Sequence, residues 1–311
     1  MLTELAHLRL AIHARHRGAR TDEAALAALT HTLKPGLAAA EAGTGHLHTW
    51  PASGPPRMCV LAWPATQAWH GSRADFVFVE HLPGDTEAAA QACRALDALP
   101  HLPDFDLHLD VHLTEVRAHL LARGLGIDSV TLIGHPPSAL ARLPPAPALP
   151  PGLHITHVQP VHHAAIIELQ RSYFAAHPEH CWFGAHPTWL QNVSKSLENP
   201  KPGCVEVLLS DDEVVGFWGS DFEFDNPLWG RKAGMVVVLD PRFQGRGLVK
   251  LAYRRMLEAQ VAAGIEMFRG GTSQPPVLGL AAQMGRWPHS VWIRPREKTY
   301  FDSSYFQAVL G

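Results

Sequence analysis

The sequence lacks most of the features that mark specialised proteins. It has 4 cysteines in 311 residues, Cys59, Cys93, Cys181 and Cys204, with no C-x-x-C pair, so neither a disulfide framework nor a thiolate metal site is indicated. No apolar run is long enough to span a bilayer. Residues 1–16 carry Glu4, Arg9 and Arg15 through the place a signal peptide's apolar core would occupy, so a soluble cytoplasmic protein without a membrane partner is expected. Charge of one sign is lacking too: the formal net charge is −3 and the basic residues form no run, which disfavours nucleic acid as a partner. There is no G-x-x-x-x-G-K-[ST] string for a nucleoside triphosphate.

Histidine and proline are abundant, at 21 and 26 residues. The densest histidine run, His177-Pro178-Glu179-His180-Cys181 through His186, holds metal-capable groups. Its spacing fits no known ligand pattern, and an H-x-x-H on a loop has no enforced geometry, so no metal is expected. The prolines cluster in residues 135–152, HPPSALARLPPAPALPPG, which have the composition of a semi-rigid linker.

The stretch GMVVVLDPRFQGRGLVK, residues 234–250, carries the clearest chemistry. Val236, Val237, Val238 and Leu239 read as a buried strand that Pro241 ends. Leu248, Leu251, Met256 and Leu257 then share a helical face. The turn between them opens a helix N-terminus, whose free N–H groups attract anions, and Gly245 and Gly247 let a phosphate approach the backbone. Arg242, Arg246 and Lys250 add positive charge. A dinucleotide turn, G-x-G-x-x-G, fails because the third glycine is missing.

P-x-F-Q-G-R-G-L resembles the pyrophosphate loop of the GNAT acyl-CoA N-acyltransferases, (Arg or Gln)-x-x-Gly-x-(Gly or Ala) at a strand-to-helix turn. Gln244 and Gly247 match two of the three fixed positions, and Val249 departs from the third, where its bulk could crowd a diphosphate. The order of elements over residues 153–295 follows the resemblance. A strand at 154–158, helices at 164–174 and 188–197 (the second capped by Thr188), and a hairpin of 204–209 with 214–222 precede the turn. A helix stopped by Gly264, a strand at 265–269, a closing helix stopped by Gly285 and a strand at 289–293 follow it. Gln274 stands where an Asn is common in the closing motif, and Arg286-Trp287 where an aromatic is common. In that family the loop between the first two helices borders the acceptor site, so Trp182, Phe183 and Trp189 are candidates to line a pocket, with aromatic core packing the alternative.

At 311 residues the chain is long for one such module, and two domains are expected: residues 1–140, a linker at 141–152, and an acyl-CoA-binding domain at 153–311. Helices at 2–16, 21–33 and 86–99 and strands at 58–62 and 75–79 precede a strand, helix, strand order at 105–111, 114–122 and 129–133. The first half therefore reads as a degenerate GNAT-like copy or an accessory α/β domain. Its equivalent turn, Glu80-His81-Leu82-Pro83-Gly84-Asp85-Thr86-Glu87, is acidic, which suits a helix cap and repels a diphosphate. The fold class expected is α/β (α+β), a mixed, mostly antiparallel twisted sheet flanked by helices.

The resemblance implies acetyl-CoA as acyl donor and direct attack of a primary amine, from a small molecule or a peptide, on the thioester. Backbone from Gln244, Gly245, Arg246, Gly247, Leu248 and Val249 would cradle the diphosphate, with Arg242, Arg246 or Lys250 as charge partners. Val237, Val238 and Leu239 would pair with the pantetheine arm, and the Leu239 N–H or a neighbour would meet the oxyanion. Gln274 would border the cofactor. Glu223 and Asp221 are candidate bases. The family's common Tyr, a proton donor, is replaced by Ala281, which leaves Ser273, Thr272 or water. Tyr253 reads as packing. A non-catalytic acyl-CoA-binding or sensing protein is the alternative, and an oxidoreductase with an irregular dinucleotide turn a third. The acceptor, the acyl-chain preference and the oligomeric state are not legible.

Overall fold

The computed structural model describes residues 1–66, 73–99, 105–176, 186–272 and 274–295. The N-terminal half runs α1 (Leu2–His13), α2 (Glu23–Glu41), β1 (His46–Trp50), β2 (Met58–Thr66), β3 (Arg73–His81), α3 (Thr86–Asp97), β4 (Phe105–Asp110), α4 (Thr114–Ala122) and β5 (Leu125–Gly134). After α5 (Pro136–Arg142) and β6 (Leu153–His157) the C-terminal half repeats that order. It consists of α6 (His163–Ala176), α7 (Pro187–Glu198), β7 (Gly203–Ser210), β8 (Glu213–Asn226), a strand broken into β9 (Gly230–Gly234) and β10 (Val236–Leu239), α8 (Leu248–Ala262), β11 (Met267–Thr272), α9 (Pro275–Gln283) and β12 (Trp287–Pro295). The repeat expected from the sequence is therefore present in the fold. Among the described residues no helix is long and apolar enough to cross a membrane.

The strands form one sheet in the order β1-β2-β3-β4-β12-β5-β11-β9-β8-β7-β6, with β10 on β8, and most neighbours are antiparallel. Its centre is an exchange. β5, from the first half, lies between β11 and β12 of the second, and β12 lies between β4 and β5 of the first. Both strands are apolar enough to be buried on each side: Ile127, Val130, Val291 and Ile293 are fully buried. At roughly 1.5–3 kcal/mol for each buried aliphatic side chain, these residues bind the halves more strongly than a surface contact would.

The helices cross over as well. Leu278 and Ala281 of α9 bury into the N-terminal core with Val130 and Val291, while Met284 joins the C-terminal core. Ala139 and Leu143, at the end of the first half, bury into that C-terminal core beside Ala252 and Met256 of α8. Residues 136–142, within the proline-rich stretch read as linker, are helical because Pro136 occupies the first turn, where no N–H is needed. Arg286 is buried at the seam. Its Nη2 donates to the carbonyls of Leu132 on β5 (2.8 Å) and Gly270 on β11 (3.1 Å), tying the halves together by charge-assisted bonds.

Other elements differ from expectation too: α2 runs on to Glu41, and β1 was not expected. Thr188 does not cap α7: its N–H donates to His186 Nδ1 (3.2 Å), and Pro187 is the first helical residue. β9 has no strand pattern in its sequence, GRKAG, and is a strand because β8 and β11 flank it.

Separating the halves should destroy both. Residues 153–311 expressed alone leave β11 with a bare edge and β12 without either neighbour, so this fragment is expected to be insoluble or unfolded by circular dichroism. Co-expression with residues 1–152 should restore a soluble pair. A fragment that melts cooperatively alone would show that the exchange is dispensable.

Candidate functional site

The site in the C-terminal half begins where one strand forks. β9 pairs in parallel with β11 as far as Gly234 opposite Arg269; beyond Met235 the strand continues as β10, which pairs only with β8 among the described residues. Asp240 N–H donates to Val215 O (2.9 Å), continuing the β10–β8 ladder. In an antiparallel pair alternate residues bond to the partner. Val236 and Val238 are therefore turned toward β8, and the N–H groups of Val237 and Leu239 face the open edge. The Leu239 carbonyl on that edge accepts from Gln244 Nε2 (3.3 Å).

β10 leads into the Gly-rich turn. Gly245 and Gly247 have φ of +72° and +77°, and Gly247 is the N-cap of α8, without a side-chain cap. Nothing lies within 4 Å of a Cβ built on Gly245, whereas one on Gly247 would stand 3.1 Å from Pro147 of the proline-rich connection. The helix N-terminus is thus open on the Gly245 side. Leu248 is buried in the α8 core, and Val249 packs against that core. Of the turn's cations, Arg242 is already committed: it pairs with Asp240 (2.8 Å) and Glu213 (2.6 Å), and these bonds raise its pKa further. Arg246 lies over the Phe243 ring (5.1 Å) and makes no ion pair among the described residues, so it replaces Arg242 as the available charge.

The corresponding turn of the N-terminal half is filled. Asp85 caps α3 by accepting from Ala88 N–H (3.0 Å) and pairs with Arg57, and these bonds hold its carboxyl below the ordinary range despite some desolvation. The chain's own carboxylate therefore sits where an anion would bind. Arg9 of α1 lies over Phe78 (3.8 Å) and beside Glu80 (4.0 Å) on β3. Burial pushes Glu80 up to about 8, with Arg9 offsetting only part of the shift.

A cavity of about 590 Å³ opens at the fork, lined by Gly234, Met235 and Val236 on one prong and Arg269 and Gly270 on the other. Gln170 and Trp189 from α6 and α7 close one side, and Trp189 Nε1 donates to Gln170 Oε1 (3.2 Å). Of the pocket and core-packing roles open to Trp189, the structure has it lining the cavity; Trp182 and Phe183 lie outside the described residues, as does Ser273. Asp221 and Glu223 both reach the cavity. Burial alone would raise the Glu223 carboxyl, but Asn226 Nδ2 (2.8 Å) and Lys232 Nζ (3.2 Å) hold it below its ordinary range. It is a committed anion. Asp221 has only Lys201 as an ion-pair partner among the described residues, at 4.0 Å, and its carboxylate stands against Gly234 where the fork begins.

Gln274 caps the entry to α9, and its side chain donates to the Tyr173 hydroxyl of α6. Thr272 Oγ1 is taken by the Gln274 N–H (3.0 Å). Tyr253 is buried in the α8 core, and Ala281 in the N-terminal core, so that position cannot present a side chain to the fork. Sequence reasoning missed Lys232 and Arg269. The signal for Arg269 was a lone charge on an apolar strand followed by two glycines.

A histidine cluster lies where the halves meet. His16 Nε2 is 2.6 Å from Asp110 Oδ2, and the His16 ring lies 4.9 Å from His112 and 4.4 Å from His289. One ligand atom each from His16, Asp110 and His112 lie within 4.8 Å of one another. The 2.6 Å contact is a hydrogen bond, well under the roughly 3.3 Å that separates two ligand atoms of a tetrahedral ion with 2.0–2.1 Å bonds. Asp110 Oδ1 also accepts from the His112 N–H (2.9 Å). The arrangement is that of a hydrogen-bonded junction.

This junction predicts acid sensitivity. Burial lowers His289 and His108 to about 3 from an ordinary 6.5. A histidine kept neutral in the fold stabilises it above pH 6.5, and that stability is lost as the pH falls from 6.5 toward 3, at up to about 1.4 kcal/mol per pH unit per site. Glu80, raised from 4.5 to about 8, acts in the opposite sense as the pH rises through that interval. His289→Asn should therefore flatten the dependence of Tm on pH between 6.5 and 5, whatever its effect on Tm at pH 7. An unchanged slope would rule out the neutral, buried imidazole.

No protein-family model and no curated protein sequence matches the chain. Among solved structures it is similar to a GCN5-related N-acetyltransferase from Sphaerobacter thermophilus, with TM-score 0.55 and 14% identity over 93% of this chain and 90% of that one. It is also similar to a GCN5-related glucosamine N-acetyltransferase region of a fungal multi-domain GH3 beta-N-acetylglucosaminidase, with TM-score 0.54 and 14% identity over 94% of this chain and 36% of that longer one. Likeness at this identity speaks to architecture, and it agrees with the forked strand and the turn beyond it: the chain has the GCN5-related N-acetyltransferase fold.

Proposed function

We propose that this protein is an acyl-CoA-dependent N-acyltransferase that uses acetyl-CoA and works through one site, in its C-terminal half. The observation that carries the reading is the fork. An open strand edge runs from an unfilled, glycine-rich helix N-terminus to a charged cavity, about 13 Å along four residues of β10 at 3.3 Å per residue. A diphosphate held at Gly245, Arg246 and the start of α8 would send its extended arm along that edge. Amide groups of the arm would pair with Val237 and Leu239, and the thioester would arrive at the cavity.

The chemistry follows from the same geometry. The amine nitrogen attacks the thioester carbon, and its carbonyl oxygen, now negative, takes a hydrogen bond from a free N–H of β10. Collapse expels the CoA thiolate, which takes a proton while the amine loses one. Asp221 is the better base, because Glu223 is held as an anion by Asn226 and Lys232. The thiolate is a good leaving group, and water can supply its proton, so an acid at Ala281 is not required.

Calorimetric titration with acetyl-CoA should give one site per chain, since Asp85 fills the first-half turn. Arg246→Glu should weaken binding by about tenfold or more, roughly 1.4 kcal/mol or greater. It is preferred to a substitution at Gly247, whose backbone would be strained by any side chain. Absence of acetyl-CoA binding would overturn the proposal, and binding without turnover on any amine would leave a non-catalytic acyl-CoA-binding protein. In turnover assays, Asp221→Asn should lower kcat by about 100-fold with acetyl-CoA affinity retained, while Glu223→Gln costs less than about tenfold. The reverse order would assign the base to Glu223.

A further inference from the structure

The cavity at the fork carries five charged side chains, Lys201, Asp221, Glu223, Lys232 and Arg269. Three are cations and two are anions, so one positive charge is in excess. Glu223 has Lys232 at 3.2 Å and Asp221 has Lys201 at 4.0 Å. Arg269 is left over. Among the described residues its guanidinium has no hydrogen bond, ion pair or ring contact. Its side chain is exposed to the cavity, with Glu223 and Asp221 facing the same space but beyond ion-pair distance.

An unpaired cation that lines a cavity is free to take an anionic ligand without first breaking an ion pair. Arginine is suited to this because its planar fork takes a carboxylate or phosphate by two parallel bonds. The location matters as much as the charge. Arg269 stands on β11, on one prong, while Asp221 stands on β8 where the other prong departs. A molecule bridging the fork would meet a cation at one end and a carboxylate at the other.

We propose that Arg269 is the anion-recognition residue of the acceptor subsite, and that the acceptor is a small primary amine bearing a carboxylate or phosphate. This rests on the acyltransfer reading of the same cavity. The anionic group docks on Arg269, which turns the amine toward Asp221 and the thioester. The cavity's volume and its cover by Gln170 and Trp189 suit a small molecule better than a lysine on a folded protein.

The test uses matched pairs: phenylalanine with phenylethylamine for the carboxylate, and phosphoethanolamine with ethanolamine for the phosphate. Equilibrium binding to the full chain is measured without CoA, and kcat/KM is followed by release of the CoA thiol. The anionic member of at least one pair should be preferred by about tenfold or more in both measurements. Arg269→Gln should bring that ratio close to one, and Arg269→Lys, which keeps the charge, should restore part of it. Which pair shows the preference identifies carboxylate or phosphate. Equal binding within both pairs, a preference that survives in Arg269→Gln, or no binding of any of the four amines would overturn the proposal. Because amine binding is read without CoA, failure to bind acetyl-CoA overturns the acyltransfer reading separately.

Discussion

The antiparallel pairing of β5 with β12 is the contact on which the rest of the molecule depends. Each strand is the last of its half, and each is flanked on both sides by strands of the other half. Neither half has a complete sheet without it, because β4 and β11 would present bare edges at the centre of the molecule. The apolar side chains of this pair gain their burial only when both halves are folded. α9 reinforces the arrangement, burying Leu278 and Ala281 in one core while Met284, which follows it, is buried in the other. Two similar halves thus behave as one folding unit.

Within that unit the halves have diverged at the turn that decides whether an anion can enter. Both turns end at a helix N-terminus, and both contain a glycine with positive φ, Gly84 in one and Gly247 in the other. The first follows its glycine with Asp85, whose carboxylate satisfies the helix N–H groups from within. The second caps α8 with Gly247 itself and leaves those groups to solvent or a ligand. One side chain separates a helix start that is capped from within from one that is left open. On the filled side Glu80 is buried and has half-buried Arg9 beside it, so neither group opens onto a cavity like the one at the fork.

What the sequence revealed was local. The run Val236 to Leu239, the proline that ends it and the glycines beyond it are decided by φ, ψ and side-chain shape, and they appear where expected. α4 is read to the residue for the same reason. What it concealed was non-local. β5 and β12 are apolar strands whichever sheet receives them, so their exchange leaves no local trace. β9, with its sequence GRKAG, becomes a strand through its neighbours alone. Arg242 has the right charge in the right turn, but Glu213, distant in sequence, takes it out of use. α5 was hidden by composition, because prolines in a first helical turn look the same on paper as prolines in a linker.

The exchange also explains how a half with a filled turn remains necessary to the half with an open one. β11 forms one prong of the fork and carries Arg269, and its other edge is held by β5 from Val130 to Gly134. Arg286 bonds a carbonyl on each of these strands. The spacing between β10 and β11, and with it the width of the cavity, is therefore fixed by a strand of the N-terminal half. That half needs no ligand of its own to shape the cavity: a change in the seam at Val130 or Val291 would be felt at Arg269 through β5.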